Sequence, residues 1–154
     1  MIMEKTPLVD KEQTARKIKD LVNKYYTDLD SVFVVNRGNN TKITDLSLSD
    51  FFNLVKNIKY RRDPRPVEVV ARPYYLFKYR GLGLDCKKKS ILCGAYFKYR
   101  GLDFRYIGSS DRPDGKIHHI FPQVKLDNEY LNFDATYPDY KLFAPKNVTK
   151  WEVL

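Results

Sequence analysis

Long apolar runs, cysteine, histidine and glycine are all scarce in this chain of 154 residues. The longest uninterrupted apolar stretches are only a few residues, such as Val32-Phe33-Val34-Val35, far short of the ~20 needed to cross a bilayer, so no transmembrane helix and no membrane partner are expected. The opening Met1-Ile2-Met3-Glu4-Lys5-Thr6-Pro7 has no basic region followed by an apolar one, so no secretory signal is expected and a cytoplasmic location follows. The two cysteines, Cys86 and Cys93, lie two turns apart if they share a helix, about 10.5 Å along its axis and too far for a disulfide, which leaves free thiols. Zinc would require these two cysteines with His118 and His119. The cysteines are not in a Cys-x-x-Cys spacing and adjacent strand histidines point apart, so no metal or other cofactor is expected.

What the chain does have is apolar content of 43% with 14% aromatics, enough to build a core without staples and to exclude wholesale disorder. Its length suits one domain, or a core with an appended arm. Lys and Arg number 28 against 19 Asp and Glu, a net charge of +9. These charges are spread along the chain, with short clusters only at Tyr60-Arg61-Arg62 and Lys87-Lys88-Lys89. A solvated basic surface accounts for that pattern better than a nucleic-acid interface does.

Ile18, Leu21, Val22 and Tyr25 recur at helical intervals within 11–27, with Asp10 placed to cap. A β-branched run at 31–35 then meets the turn-prone Asn36-Arg37-Gly38-Asn39-Asn40. Ser47 or Ser49 can cap a helix bearing Phe51, Phe52, Leu54, Val55 and Ile58, which must end before the extended Asp63-Pro64-Arg65-Pro66. Residues 1–46 therefore read as an N-terminal helical extension with a short strand, and 47–154 as the main domain. The hexapeptide Phe77-Lys78-Tyr79-Arg80-Gly81-Leu82 recurs as Phe97-Lys98-Tyr99-Arg100-Gly101-Leu102, which reads as one helix-ending solution used twice, closed by glycine. Between the copies, 85–100 forms a helix with Ile91, Leu92, Ala95, Tyr96 and Tyr99 as its buried positions. Strands are expected at 103–108, 118–126 and 130–136. Trp151 is expected to pack as a lid over the core. The fold class is α+β, with the Cys86 helix packed on an antiparallel sheet.

A thiol nucleophile needs a stabilised thiolate, an imidazole to take its proton and a group to orient that imidazole. At a helix start, Cys86 meets the positive end of the helix dipole and unpaired N–H groups, both favouring a thiolate. With Gly83 in the approach and Asp85 and Lys87 alongside, the same N–H groups can supply an oxyanion site. Asp85 itself reads as an N-cap rather than an acid, and Cys93 as core. If Asp127-Asn128 form a two-residue hairpin turn, Leu126 faces Glu129, Phe121 faces Asp134, and His119 is the diagonal neighbour of Asp134 on one face. His118 then points the other way. Pro122 argues for an edge strand or a bulge nearby.

The segments Leu84-Asp85-Cys86-Lys87-Lys88-Lys89-Ser90, His119-Ile120-Phe121-Pro122-Gln123-Val124 and Phe133-Asp134-Ala135-Thr136-Tyr137-Pro138 together resemble the transglutaminase-like superfamily of papain-type cysteine peptidases and acyltransferases. That pattern is Gly-Asp-Cys opening a helix, a strand His in His-x-aromatic-x-Glu-Val, and an Asp in Val-Asp-Pro-Thr. Leu84, Lys87, Pro122 and Gln123 depart from it. The lead-in from Tyr60-Arg61-Arg62-Asp63-Pro64 through Glu68-Val69-Val70 to Arg72-Pro73 is similar to that of small phage-encoded members, and the resemblance spans residues 51–138. It implies a papain-like core and a catalytic triad of Cys86, His119 and Asp134 working through a thioester. The expected substrate is a protein or peptide amide, either hydrolysed or transferred to an amine. The alternative it leaves open is a silent fold used as a virion or assembly component, which would place the chain in a phage particle.

Overall fold

The computed structural model describes residues 3–7, 11–63 and 67–154, with 3–7 and 67–69 described in backbone alone. Asp10 and the Pro64-Arg65-Pro66 connection lie outside the described residues. The elements run β1 (Met3–Pro7), α1 (Lys11–Tyr25), β2 (Phe33–Asn36), β3 (Asn39–Lys42), α2 (Leu48–Lys56), β4 (Val67–Ala71), α3 (Pro73–Lys78), α4 (Cys86–Tyr99), β5 (Phe104–Ser110), β6 (His119–Leu126), β7 (Glu129–Asn132) and β8 (Lys150–Val153). The main sheet is antiparallel in the order β7-β6-β5-β8, and β1-β4 and β2-β3 form two separate pairs. This is the expected α+β class, with the helix that begins at Cys86 packed on the antiparallel sheet through β6 and β5. Among the described residues no helix is long and apolar enough to cross a membrane.

The organising element is α4, and it differs from a one-faced helix. From Lys88 to Phe97 every residue is buried, because α1 and α3 cover one side of the helix and the sheet covers another. A helix buried all round has no amphipathic stripe to read. Its aromatic residues meet those of α2 and the chain after β7: Phe51 stacks on Tyr96 at 3.9 Å, and Phe133 lies edge-on to Phe97 at 4.9 Å and to Phe52 at 5.2 Å. Ile18, Leu21 and Val22 of α1 belong to the same buried cluster. Ser47 does cap α2, its side chain accepting from the Asp50 N–H at 3.1 Å.

The repeated hexapeptide has two outcomes. After α4, Gly101 takes φ +69°, its N–H reaches the Lys98 carbonyl and the Leu102 N–H reaches that of Phe97, the paired bonds of a Schellman cap. After α3 the chain enters a 3-10 turn instead, Arg80 donates its guanidinium to the Phe77 carbonyl at 2.9 Å, and the positive φ falls two residues later at Gly83. Identical residues end the two helices differently because Arg80 takes the carbonyl that Leu102 satisfies in the second copy.

Two further expectations are corrected. β6 is flanked by β5 and β7, so Pro122 is not on an edge strand. It is tolerated because its carbonyl faces β7 where the ladder stops: the Phe133 N–H reaches it at 2.9 Å, one step past the last pair Gln123–Asn132, so the missing donor falls where pairing ends. Trp151 is no lid. It lies on the edge strand β8 beside Ser109 and is 56% exposed.

Gly94 lets β5 and α1 approach α4. A Cβ there would lie 2.1 Å from Tyr106 Oη and 3.1 Å from Val22, and that phenol donates to the Ser90 carbonyl at 2.8 Å. Helix propensity alone favours alanine by about 1 kcal/mol. The clash reverses the sign, and Gly94→Ala is expected to cost about 2–4 kcal/mol in chemical denaturation, with part of the loss recovered when Tyr106→Phe is added.

Candidate active site

Three elements deliver the chemistry to one cleft of about 480 Å³, whose walls include Cys86, His119 and Asp134 with Tyr60, Tyr137 and Tyr140. Cys86 is the first residue of α4 and Asp85 is the N-cap, its Oδ1 accepting from the Lys88 N–H at 3.0 Å. His119 opens β6, and Asp134 follows the end of β7. The hairpin between them turns on Asp127 and Asn128, both at positive φ (50° and 64°), and Leu126 pairs with Glu129. That is a type I′ turn, and its register puts His119 and Asp134 on one face.

His119 Nε2 and Asp134 Oδ2 are 2.7 Å apart, and Cys86 lines the same cleft as both. His118 also lines the cleft but bonds elsewhere, its Nε2 2.7 Å from Asp111 Oδ1. The second Asp134 oxygen accepts from the Thr136 N–H at 3.2 Å and the Thr136 hydroxyl at 2.5 Å, so the carboxylate is fixed at both ends. Burial opposes the charged imidazolium, but the hydrogen bonds and negative charge of Asp134 and Cys86 outweigh it and raise His119 to about 9. Burial likewise opposes the Asp134 carboxylate, yet His119 and Lys146 hold it down to about 2.

The residues suggested for an oxyanion site are arranged otherwise. Gly83, at φ +91°, lies where a Cβ would come 2.6 Å from Arg61 Cβ, so its freedom serves a backbone crossing in which the Leu84 N–H reaches the Lys59 carbonyl. Asp85 is buried as the cap, and the Lys87 ammonium is 3.0 Å from its Oδ2. None of the three is on the cleft wall. Cys93 is a buried free thiol whose ionisation burial pushes well up.

Two lysines bear on the site that were not among the site residues expected from the sequence. Lys89 is 2% exposed, and its Nζ donates to the carbonyls of Ile58 and Thr136 at 2.7 Å each and of Lys56 at 3.4 Å. Burial brings its ammonium down to about 8. Its neighbour Ser90 donates to the Ile120 carbonyl at 3.3 Å, so successive residues of α4 hold the backbone next to Asp134 and next to His119. The other is Lys146, whose ammonium pairs with Asp134 Oδ2.

Comparison with protein families finds no matching family, and comparison with curated proteins finds no match. Among solved structures, the chain is similar to a candidate cysteine protease from Cytophaga hutchinsonii, with 12% identity and a TM-score of 0.45. The alignment covers 96% of this chain and spans 53% of that one.

Two outcomes are expected. Lys89→Met strands buried carbonyls and should lower stability by about 2–4 kcal/mol in urea denaturation, whereas Lys116→Met on the surface should change it little. His119 has a folded value above its unfolded one of about 6.5, so its stabilising contribution is full below that pH and lost as pH rises through about 9. The stability advantage of the wild type over His119→Gln should therefore be greatest below pH 6.5 and fade by pH 9.

Proposed function

We propose that the protein is a thiol acyl-transfer enzyme of the transglutaminase-like type, acting on a protein or peptide amide as a cysteine peptidase, amidase or acyltransferase. The observation that supports this reading is that Cys86, His119 and Asp134 line one cleft, with His119 Nε2 2.7 Å from Asp134 Oδ2. In this mechanism Cys86 Sγ attacks the amide carbonyl carbon while its proton passes to His119. The C–N bond then breaks, the leaving amine takes the proton from the imidazolium, and a thioester remains. Water or a second amine, deprotonated by His119, attacks the thioester and expels Cys86, which recovers its proton. Asp134 keeps the imidazole oriented and stabilises its charged form without being protonated itself. The Cys86 N–H, at the start of α4 on the cleft wall, is the group this reading assigns to the oxyanion.

The raised His119 value keeps the imidazolium populated through neutral pH, the form that protonates a leaving amine. Iodoacetamide should accordingly label Cys86 far faster than Cys93 near pH 6–7, and His119→Ala should slow that labelling by about 10²-fold or more. Peptidoglycan stem peptides, glutamine-containing proteins and denatured polypeptides form the first substrate screen. Turnover should vanish in Cys86→Ala and fall less in Asp134→Asn. If Cys86 labels no faster than Cys93 and no amide is turned over, the reading fails and the silent virion or assembly role takes its place.

A further inference from the structure

The segment 137–149 has no helix or strand, yet it forms one wall of the cleft, and Lys146 is where it touches the chemistry. The Lys146 ammonium sits on Asp134 Oδ2, the oxygen that also holds His119 Nε2, with its side chain only 20% exposed. It lies 3.9 Å from the centre of the Tyr140 ring and 5.2 Å from that of Phe121, so two aromatic faces hold the cation in place. Phe121 itself packs against the His119 ring at 5.6 Å. A flexible lysine would gain little from an exposed pair, but here the pair is mostly buried and the partner is the carboxylate that orients the imidazole.

We propose that Lys146 is a positioning residue: by sharing Asp134 Oδ2 with His119 it limits how tightly the carboxylate holds the imidazolium, and it fixes the 137–149 wall against the reacting pair. This rests on the functional reading above. The charge balance explains why the arrangement suits that reaction. With Lys146 present, the Asp134 carboxylate and the Lys146 ammonium offset one another beside the imidazole. Without Lys146, the full carboxylate charge acts on His119 and makes the imidazolium a poorer proton donor to the leaving amine. Among the described residues, the other charged or titratable groups lining the cleft with His119 are Cys86 from α4, Tyr60 and Arg62 before α3, Asp111 and His118 on the β5–β6 side, and Tyr137, Asp139, Tyr140 and Lys141 on the wall itself.

The test is the titration of the His119 ring by NMR in a Cys86→Ser background, so that the thiol plays no part. His118 is the one other histidine of the chain and serves as internal reference. Lys146→Met is expected to raise the His119 midpoint by about half to one pH unit, and Lys146→Arg to leave it where it is. Lys146→Gln carries the same expectation as Lys146→Met if the latter does not fold. An unchanged or lowered midpoint in Lys146→Met, or an equal shift in Lys146→Arg, overturns the proposal. The functional reading fails separately, if wild-type Cys86 alkylates at the same rate with and without His119; the His119–Asp134–Lys146 titration is decided either way.

Discussion

The site depends on how the first two turns of α4 are bolted to backbone carbonyls. Lys89 reaches the carbonyls of Ile58 and Thr136, Ser90 reaches that of Ile120, and the Ser90 carbonyl in turn accepts from Tyr106. These bonds join the end of α2, the loop carrying Asp134, the strand carrying His119 and the strand beside it to the turn that begins with Cys86. A buried ammonium is costly to desolvate, and it is held here because three carbonyls match its three N–H donors. Geometry within a fraction of an ångström matters for proton transfer, and a rigid helix supplies it better than a loop does.

Electrostatics then refines what the packing places. Asp134 accepts from Thr136 at one oxygen and from His119 and Lys146 at the other, so its lone pairs are used and its orientation is set from both sides. The imidazole is fixed by that carboxylate on one side and by its β6 neighbours on the other. Tyr60 and Tyr137, with rings 4.7 Å apart, both line the cleft, and burial raises the phenol of Tyr137.

Much of this was legible from residues whose effect is local. Asp127-Asn128 accept left-handed φ, so the hairpin register, and with it the choice of His119 over His118, followed from two residues. Ser47 and Asp85 announce helix starts because a side-chain oxygen must meet an orphan N–H. Features set by distant packing were not legible. Lys89 looks like one member of a basic cluster until three separate segments close around it. Lys146 has no periodicity or motif, and it reaches Asp134 only because the irregular segment folds back over the cleft. The interior place of β5 depends on β8 returning from the far end of the chain, which also explains why Trp151 is not over the core.

That position of Trp151 has a spectroscopic consequence. The chain has one tryptophan, and it sits on an edge strand with more than half its surface in water, paired to Ser109 at the rim of the cleft. Its native-state emission is expected to lie toward that of solvated indole, which makes intrinsic fluorescence a weak reporter of core unfolding. It is a better reporter of whatever approaches the outer edge of the sheet. The interior has its own chromophores in the buried Tyr96 and Tyr106 beside α4, so near-ultraviolet tyrosine dichroism follows the packing around the nucleophile, while tryptophan follows the edge.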